Sequence, residues 1–296
     1  MAETLSWDRD GRDWPNRGAS RFIRVDGLRW HVQQMGSGPV VLLVHGTGAS
    51  THSWRALAPL LAQDFTVVAP DLPGHGFTDQ PSRHLLSLPG MARGLDQLLG
   101  TLGLKPELAV GHSAGAAIII RMSLDGRLQV RGLVSLNGAL RPFRGVVSQF
   151  FSPLAKLFVL NPLVPRLFAW RASDRGTVER LIRNSGSKID RTGLSLYQRL
   201  VSNPDHVAAA LGMMANWDLE PLVRDLPRLD AELVLVAAGN DRTIPSEQSF
   251  RVRDMVATAR VEYLRGLGHL AHEERPEDIA RIVKRLALSL SVLPAC

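Results

Sequence analysis

A chain of 296 residues that is 45% hydrophobic and 21% charged has enough apolar side chains for one large core and does not belong to the disordered class. Its one cysteine, Cys296, excludes a disulfide framework and points to a reducing compartment. The net charge of +7 is local, since Arg141 to Trp217 carries 11 Lys and Arg against 4 Asp and Glu, and no basic motif interleaved with aromatics supports a nucleic acid partner.

In chain order, the opening stretch MAETLSWDRDGRDWPNRG lacks the apolar segment of a secretory signal, so a cytoplasmic location is expected. Trp7, Trp14 and Trp30 suit an extended arm whose rings pack onto the body of the protein. SRFIRVDGLRWHVQQMGSGP then reads as two strands joined by a turn at Asp26 and Gly27, which predicts an antiparallel start to a sheet. Six apolar runs follow: PVVLLVHG (39–46), FTVVAPD (65–71), ELAVGHS (107–113), VRGLVSLNG (130–138), ELVLVAAGN (232–240) and RVEYLRGLG (260–268). Most are rich in Val and Leu and end in Gly, Asn, Asp or Ser. Helical patterns separate them, which predicts a parallel sheet covered on both faces.

The alternation breaks between Ala139 and about Asp225, where the pattern is helical and punctuated by proline. Phe150, Phe151, Leu154, Leu157 and Phe158 share one helical face, and Leu163, Val164, Leu167 and Phe168 repeat the spacing. The stretch from Val147 to Trp170 is strongly apolar, but Pro153, Lys156, Pro162, Pro165 and Arg166 argue against a membrane span. The expected organisation is a core of residues 1–140 and 225–296 with a helical cap at 141–224. That cap would lie over the edge where open α/β sheets bind ligands. A basic, apolar cap suits an anionic inner-membrane surface, the carboxylate edge of a broad apolar ligand, or simple packing onto the sheet.

LAVGHSAGAAIII (108–120) places Ser113 between Gly111 and Gly115, after a predicted strand and before a predicted helix. G-x-S-x-G requires that context for a nucleophile, because a sharp turn must lift the hydroxyl above the sheet. Without it, the same letters describe a small-residue turn in a chain with 26 glycines. The backbone N–H groups of Ala114, at the helix start, and of Thr47, in LLVHGTGAS, are candidate oxyanion donors.

A serine hydroxyl needs a base, and the base needs an orienting acid. In sheets of this kind the chain order is Ser, then Asp or Glu, then His. Asp241 follows a strand in LVLVAAGNDRTIP, His269 follows the last strand in EYLRGLGHLAHEERP, and no acid follows the 130–138 strand in SLNGALRP. Parallel strands point one way, so the three ends converge at one edge. His272 is an alternative base. As a metal site the i, i+3 pair is weak without further ligands, and neither a metal nor another cofactor is expected. His45 and His112 flank the nucleophile region and either line the site or satisfy a turn; His112, Trp54 and Phe143 are the pocket-lining candidates.

With HGTGAS, DLPGHGFTDQP, GHSAG, GNDRTIP and GLGHLAHEERPEDI in order, the chain resembles the α/β-hydrolase superfamily over nearly its full length. The resemblance implies an α/β-hydrolase fold: a mostly parallel twisted sheet, helices on both faces and an inserted helical lid. It also implies Ser113 as nucleophile, His269 as general base, Asp241 as its partner, and Thr47 and Ala114 as the oxyanion hole. Serine at 113 disfavours the members with an Asp nucleophile, such as epoxide hydrolases and haloalkane dehalogenases. WDRDGRDWPNRGASRFIRVDGLRWHVQQMGSGP and the continuation GTGASTHSWRALAPLLAQDFTVVAPDLPGHGFTD are similar to the magnesium-chelatase accessory proteins of bacteriochlorophyll biosynthesis. That similarity implies a role near magnesium insertion, with a small-molecule ester or a tetrapyrrole as ligand and the chelatase as partner. Three functions stay open: serine ester hydrolysis, a non-catalytic module binding a tetrapyrrole or the chelatase, and C–C hydrolase or cofactor-free perhydrolase chemistry.

Overall fold

The computed structural model describes residues 5–142, 163–172 and 174–294. Strands β1 (Ser20–Val25) and β2 (Leu28–Met35) pair antiparallel from Ser20↔Gln33 to Val25↔Leu28. Asp26 (φ 47°) and Gly27 (φ 80°) both adopt the left-handed conformation that a two-residue hairpin turn needs. Then come β3 (Val40–Val44), β4 (Thr66–Pro70), β5 (Leu108–His112), β6 (Gly132–Leu136), β7 (Glu232–Ala238) and β8 (Ala259–Leu264). The sheet order is β1-β2-β4-β3-β5-β6-β7-β8; β2 meets β4 antiparallel, and every later pairing is parallel. Each predicted strand is present, trimmed at its ends where the loops begin.

Alternation along the strands feeds two cores. Val41 and Leu43 of β3 point to the side packed by α2 (Leu57–Leu61) and the C-terminal helix Pro276–Ser289. Leu42 and Val44 point to the opposite side, packed by α3 (Leu88–Leu102) and α4 (Ala114–Leu124). Ahead of the sheet, the short helix α1 (Trp7–Asp10) opens the arm. Trp14 and Trp30 are buried, and Trp7 is half-buried, edge-on to Phe22 and Phe77. Beneath the arm runs a hydrogen-bond chain, Ser20 Oγ to His31 Nε2 at 2.9 Å and His31 Nδ1 to Asp71 Oδ2 at 2.7 Å. Burial pushes the Asp71 carboxyl up, but His31 and the Phe77 N–H outweigh it, so the group stays well below the usual range.

Between β6 and β7 the described chain is helical: α5 (Leu163–Ala172), α6 (Arg175–Asn184), α7 (Arg191–Val201), α8 (Pro204–Ala215) and α9 (Glu220–Asp225). Two further helices, α10 (Glu247–Arg253) and α11 (Ala271–Glu274), precede the C-terminal helix, α12. The apolar face expected on Phe150, Phe151, Leu154, Leu157 and Phe158 lies outside the described residues. Of the expected common face of Leu163, Val164, Leu167 and Phe168, the Phe168 side chain lies outside the described residues and the remainder is divided. Leu163 and Leu167 are 63% and 55% exposed, whereas Val164 and Ala169 are buried. Val164 is about 100° round the helix from Leu163, and only its side packs inward. No helix among the described residues is long and apolar enough to cross a membrane.

The helical segment is tied to the loops at the carboxyl ends of the strands. Arg55 bridges Glu273 and Asp190, and Tyr197 Oη donates to Glu273 Oε1 at 2.7 Å. Burial pushes the Glu273 carboxyl up to about 7 against the pull of Arg55. His206 accepts from the Gly76 N–H through Nδ1 and donates to the Gly48 carbonyl through Nε2, both at 3.1 Å.

Burial holds six histidines neutral. His45, His52, His75 and His112 lie below their usual range, His206 falls to about 4 and His272 to about 3. Unfolded histidine titrates near 6.5, so as pH falls below that value the unfolded chain gains protons that the folded chain refuses. Stability is therefore complete above about pH 6.5 and drains away toward pH 4. The raised Glu273 acts in the opposite sense but is one group against six. Thermal melts at stepped pH should show the midpoint dropping over that window, with a shallower drop in His206→Gln.

Candidate active site

Ser113 lies between β5 and α4 with φ 51° and ψ −115°, a conformation costly for a residue with a Cβ. The two glycines impose it. A Cβ on Gly115 would sit 2.1 Å from the Val44 carbonyl oxygen, and one on Gly111 would sit 2.5 Å from the Ala116 nitrogen. Helix α4 therefore presses against β3 and β5, and the connecting residue has to turn sharply. The Ser113 side chain does not cap the helix and makes no hydrogen bond among the described residues. Half-buried, it is reachable rather than committed to the fold.

The loop after β3 comes close to this elbow, since a Cβ on Gly46 would lie 3.0 Å from the Ser113 Cβ. Neither the Thr47 nor the Ala114 backbone N–H is engaged among the described residues. Two unengaged donors beside a hydroxyl suit a developing oxyanion. His45 does not line the site: buried, its Nε2 accepts the Leu72 N–H at 2.9 Å and its Nδ1 lies 2.8 Å from the Gly46 carbonyl. It satisfies a turn.

At the ends of β7 and β8, Asp241 Oδ2 lies 2.8 Å from His269 Nδ1. The carboxylate is fully buried and the imidazole 11% exposed. Asp241 Oδ1 is held by the Thr243 and Ile244 N–H groups at 2.7 and 2.8 Å, which fixes the carboxylate plane. With Nδ1 occupied, Nε2 is the nitrogen left for proton transfer. His112 donates from Nε2 to the His269 carbonyl at 3.0 Å, with ring centroids 4.7 Å apart. It braces His269 from behind. Among the described residues His272 has no acid partner and neither of its ring nitrogens finds a hydrogen bond; it is wholly buried beside Trp54, and burial lowers its pKa to about 3.

The expectation that Trp54 lines a pocket is corrected. It has no exposed surface and packs with Val41, Leu43 and Leu57, because the turn after Ser50 points its ring into the core. Phe143 lies outside the described residues. Asn137 was not anticipated. At the end of β6, with φ 46°, its Nδ2 donates to the Gly268 and His269 carbonyls at 3.1 and 2.9 Å, and its Oδ1 accepts from the Ala238 N–H at 2.9 Å. One buried amide thereby fastens the His269 loop to the end of β7. The signal was the Asn-Gly pair at the end of an apolar strand.

The profile of the alpha/beta hydrolase family matches residues 41–282. The chain belongs to this family. Similar proteins include the magnesium-chelatase 30 kDa subunit of Rhodobacter capsulatus, 36% identical over 92% of this chain and 95% of that one. The 2-hydroxy-6-oxo-2,4-heptadienoate hydrolase of Pseudomonas putida is 26% identical over 90% and 96% of the two chains. An alpha/beta hydrolase fold protein from Burkholderia ambifaria superposes with a TM-score of 0.75 at 24% identity, covering 96% and 99%. This alpha/beta hydrolase thus has the expected fold, and its sheet edge carries the serine, acid and histidine in family order.

Replacing Asn137 by Ala leaves the Gly268 carbonyl and the Ala238 N–H without their partner, while the His269 carbonyl keeps only the bond from His112. At about 1–3 kcal/mol for each buried group left unsatisfied, the variant should unfold at clearly lower urea. A midpoint equal to wild type would show that the amide is dispensable.

Proposed function

We propose that the protein is a serine hydrolase that cleaves a carboxylic ester through an acyl-enzyme, and that it works near the magnesium-chelatase step of bacteriochlorophyll synthesis. The observation that carries the chemistry is the buried Asp241–His269 hydrogen bond, set beside a strained serine with two unengaged N–H groups. Ser113 Oγ attacks the ester carbonyl while its proton passes to His269 Nε2. Asp241 holds the ring in register and steadies the imidazolium. The tetrahedral oxyanion is met by the Thr47 and Ala114 N–H groups. Collapse breaks the bond to the alcohol, which leaves with the proton from His269. A water deprotonated by the same nitrogen then attacks the acyl-enzyme, releasing the acid and restoring Ser113.

The likeness to the chelatase subunit of Rhodobacter capsulatus supports the pathway, with a tetrapyrrole ester as the candidate substrate and the chelatase as the candidate partner. The helices within 141–224 act as a cap in this reading. On α5, Leu163, Leu167 and Trp170 (72% exposed) form an outward stripe flanked by Arg166 and Arg171, the layout of a helix resting on anionic lipid at the inner face of the membrane. Sedimentation with phosphatidylglycerol vesicles should pull down the protein, and Trp170→Ser with Leu167→Ser should release it.

An active-site-directed fluorophosphonate should modify Ser113, located by peptide mass. Asp241→Asn should slow that reaction by about 10²–10⁴-fold by leaving the wrong tautomer. A folded protein that stays unmodified would sink the hydrolase reading.

A second reading has its own support, namely the absent Ser113–His269 hydrogen bond and the likeness to a protein named as a chelatase subunit. In it the chain is a non-catalytic module that binds a tetrapyrrole or the chelatase. Cells carrying Ser113→Ala separate the two, since full pigment favours the module and pigment loss equal to a deletion favours the enzyme. The likeness to the Pseudomonas putida hydrolase keeps C–C bond hydrolysis and perhydrolase chemistry in the substrate panel, alongside esters.

A further inference from the structure

Beside the elbow is a cleft of about 480 Å³ lined by Gly138–Pro142 on one wall and by Arg242–Pro245 with part of α10 on the other. Both walls are bonded to residues of the candidate site. The Ala139 N–H donates to the Ser113 carbonyl at 3.0 Å, and the Thr243 and Ile244 N–H groups hold the Asp241 carboxylate. Leu140 and Ile244 supply apolar surface, while Arg141, Arg242 and Arg251 bring three guanidinium groups to the same cleft. None of the three side chains forms an ion pair or a hydrogen bond among the described residues, although most other acids and bases near the sheet edge are paired. The single acid on the lining is Glu247, so the cleft keeps an excess of two positive charges.

We infer that this cleft is a carboxylate-recognition subsite, and that the ester cleaved at Ser113 belongs to a molecule carrying at least one further carboxylate on an apolar body. The inference rests on the hydrolase reading and specifies its substrate class. Guanidinium presents a planar fork that matches a carboxylate, and an arginine without an internal partner gives up no existing ion pair to bind one. The apolar wall accommodates what lies between the ester and the anionic end. Arg141, Arg242 and Arg251 are specificity residues here, remote from the bond that breaks.

The test compares 4-nitrophenyl pentanoate with mono-4-nitrophenyl glutarate, which share a leaving group and chain length and differ in the distal carboxylate. Wild type should favour the glutarate half-ester by about tenfold in kcat/KM, chiefly through KM, with the margin shrinking in high salt. Arg242→Gln with Arg251→Gln should erase that margin while changing the pentanoate rate less than about twofold, as expected of uniform binding lost away from the reacting centre. Equal rates on the two esters in wild type, or a margin that survives in the double variant, would overturn the subsite. Should fluorophosphonate leave Ser113 untouched, the hydrolase reading fails separately. Calorimetric titration with glutarate then decides the cleft alone: binding by wild type that the double variant loses supports it, and no binding by wild type overturns it.

Discussion

The close approach of α4 to the sheet governs the rest of the arrangement. Gly115 lets the first turn of that helix pass against the Val44 and His45 carbonyls, and Gly111 lets the strand pass beneath Ala116. No residue with a Cβ fits at either position without moving backbone. The chain between them has two tight walls and one residue in which to reverse, so Ser113 is driven to a positive φ that its own side chain disfavours. The strain places a polar hydroxyl above the edge of an apolar sheet, at a helix start whose first N–H groups have no partner in the helix. Geometry and electrostatics thus have one steric origin.

A hydrogen-bonded serine, histidine and aspartate do not by themselves make a reaction site, and this molecule contains the counterexample. Ser20, His31 and Asp71 form such a chain under the N-terminal arm, with good distances and complete burial of the ring and the carboxylate. Ser20, however, is extended (φ −81°, ψ 137°), and its N–H is spent on the Arg17 carbonyl. It has no strained turn and no pair of unengaged donors beside it, so it reads as a staple between arm and sheet. The constellation around Ser113 differs by the features that a tetrahedral intermediate would use.

The sheet was readable because its strands are nearly continuous apolar runs, and the Asp26-Gly27 hairpin because only a few residues tolerate its dihedrals. Asp241 and His269 were readable because parallel strands deliver their ends to one edge, which makes sequence distance irrelevant. Trp54 and Asn137 were not. An aromatic after a glycine-rich loop looks the same whether its ring turns to a pocket or to the core, and the choice depends on a local turn that no periodicity records. Asn137 acts through three backbone groups on loops about 100 and 130 residues away, and backbone partners leave no mark on composition. The division of the α5 face was hidden for a related reason, since hydrophobic spacing gives the direction of a stripe but not which of its neighbours packs.

The helical segment between β6 and β7 is bonded to the loops that carry Asp241 and His269. Its turn at Ser185–Ser187 sits directly on the loops of Asp241 and His269. The Ser185 carbonyl accepts both the Arg242 N–H at 3.2 Å and the His269 N–H at 3.3 Å, and Ser187 Oγ accepts the Leu270 N–H at 2.8 Å. Gly186, with φ 87°, comes so close that a Cβ there would fall 1.8 Å from the Asn240 carbonyl oxygen. One carbonyl from the helical segment therefore bridges the residue following Asp241 and His269 itself. Asn137 secures the His269 loop from the sheet side, so the Asp241–His269 pair is held through its backbone by two elements. That clamp spans the boundary between sheet and helices. The Ser185 carbonyl is the point at which the helical segment and the backbone carrying Asp241 and His269 are joined.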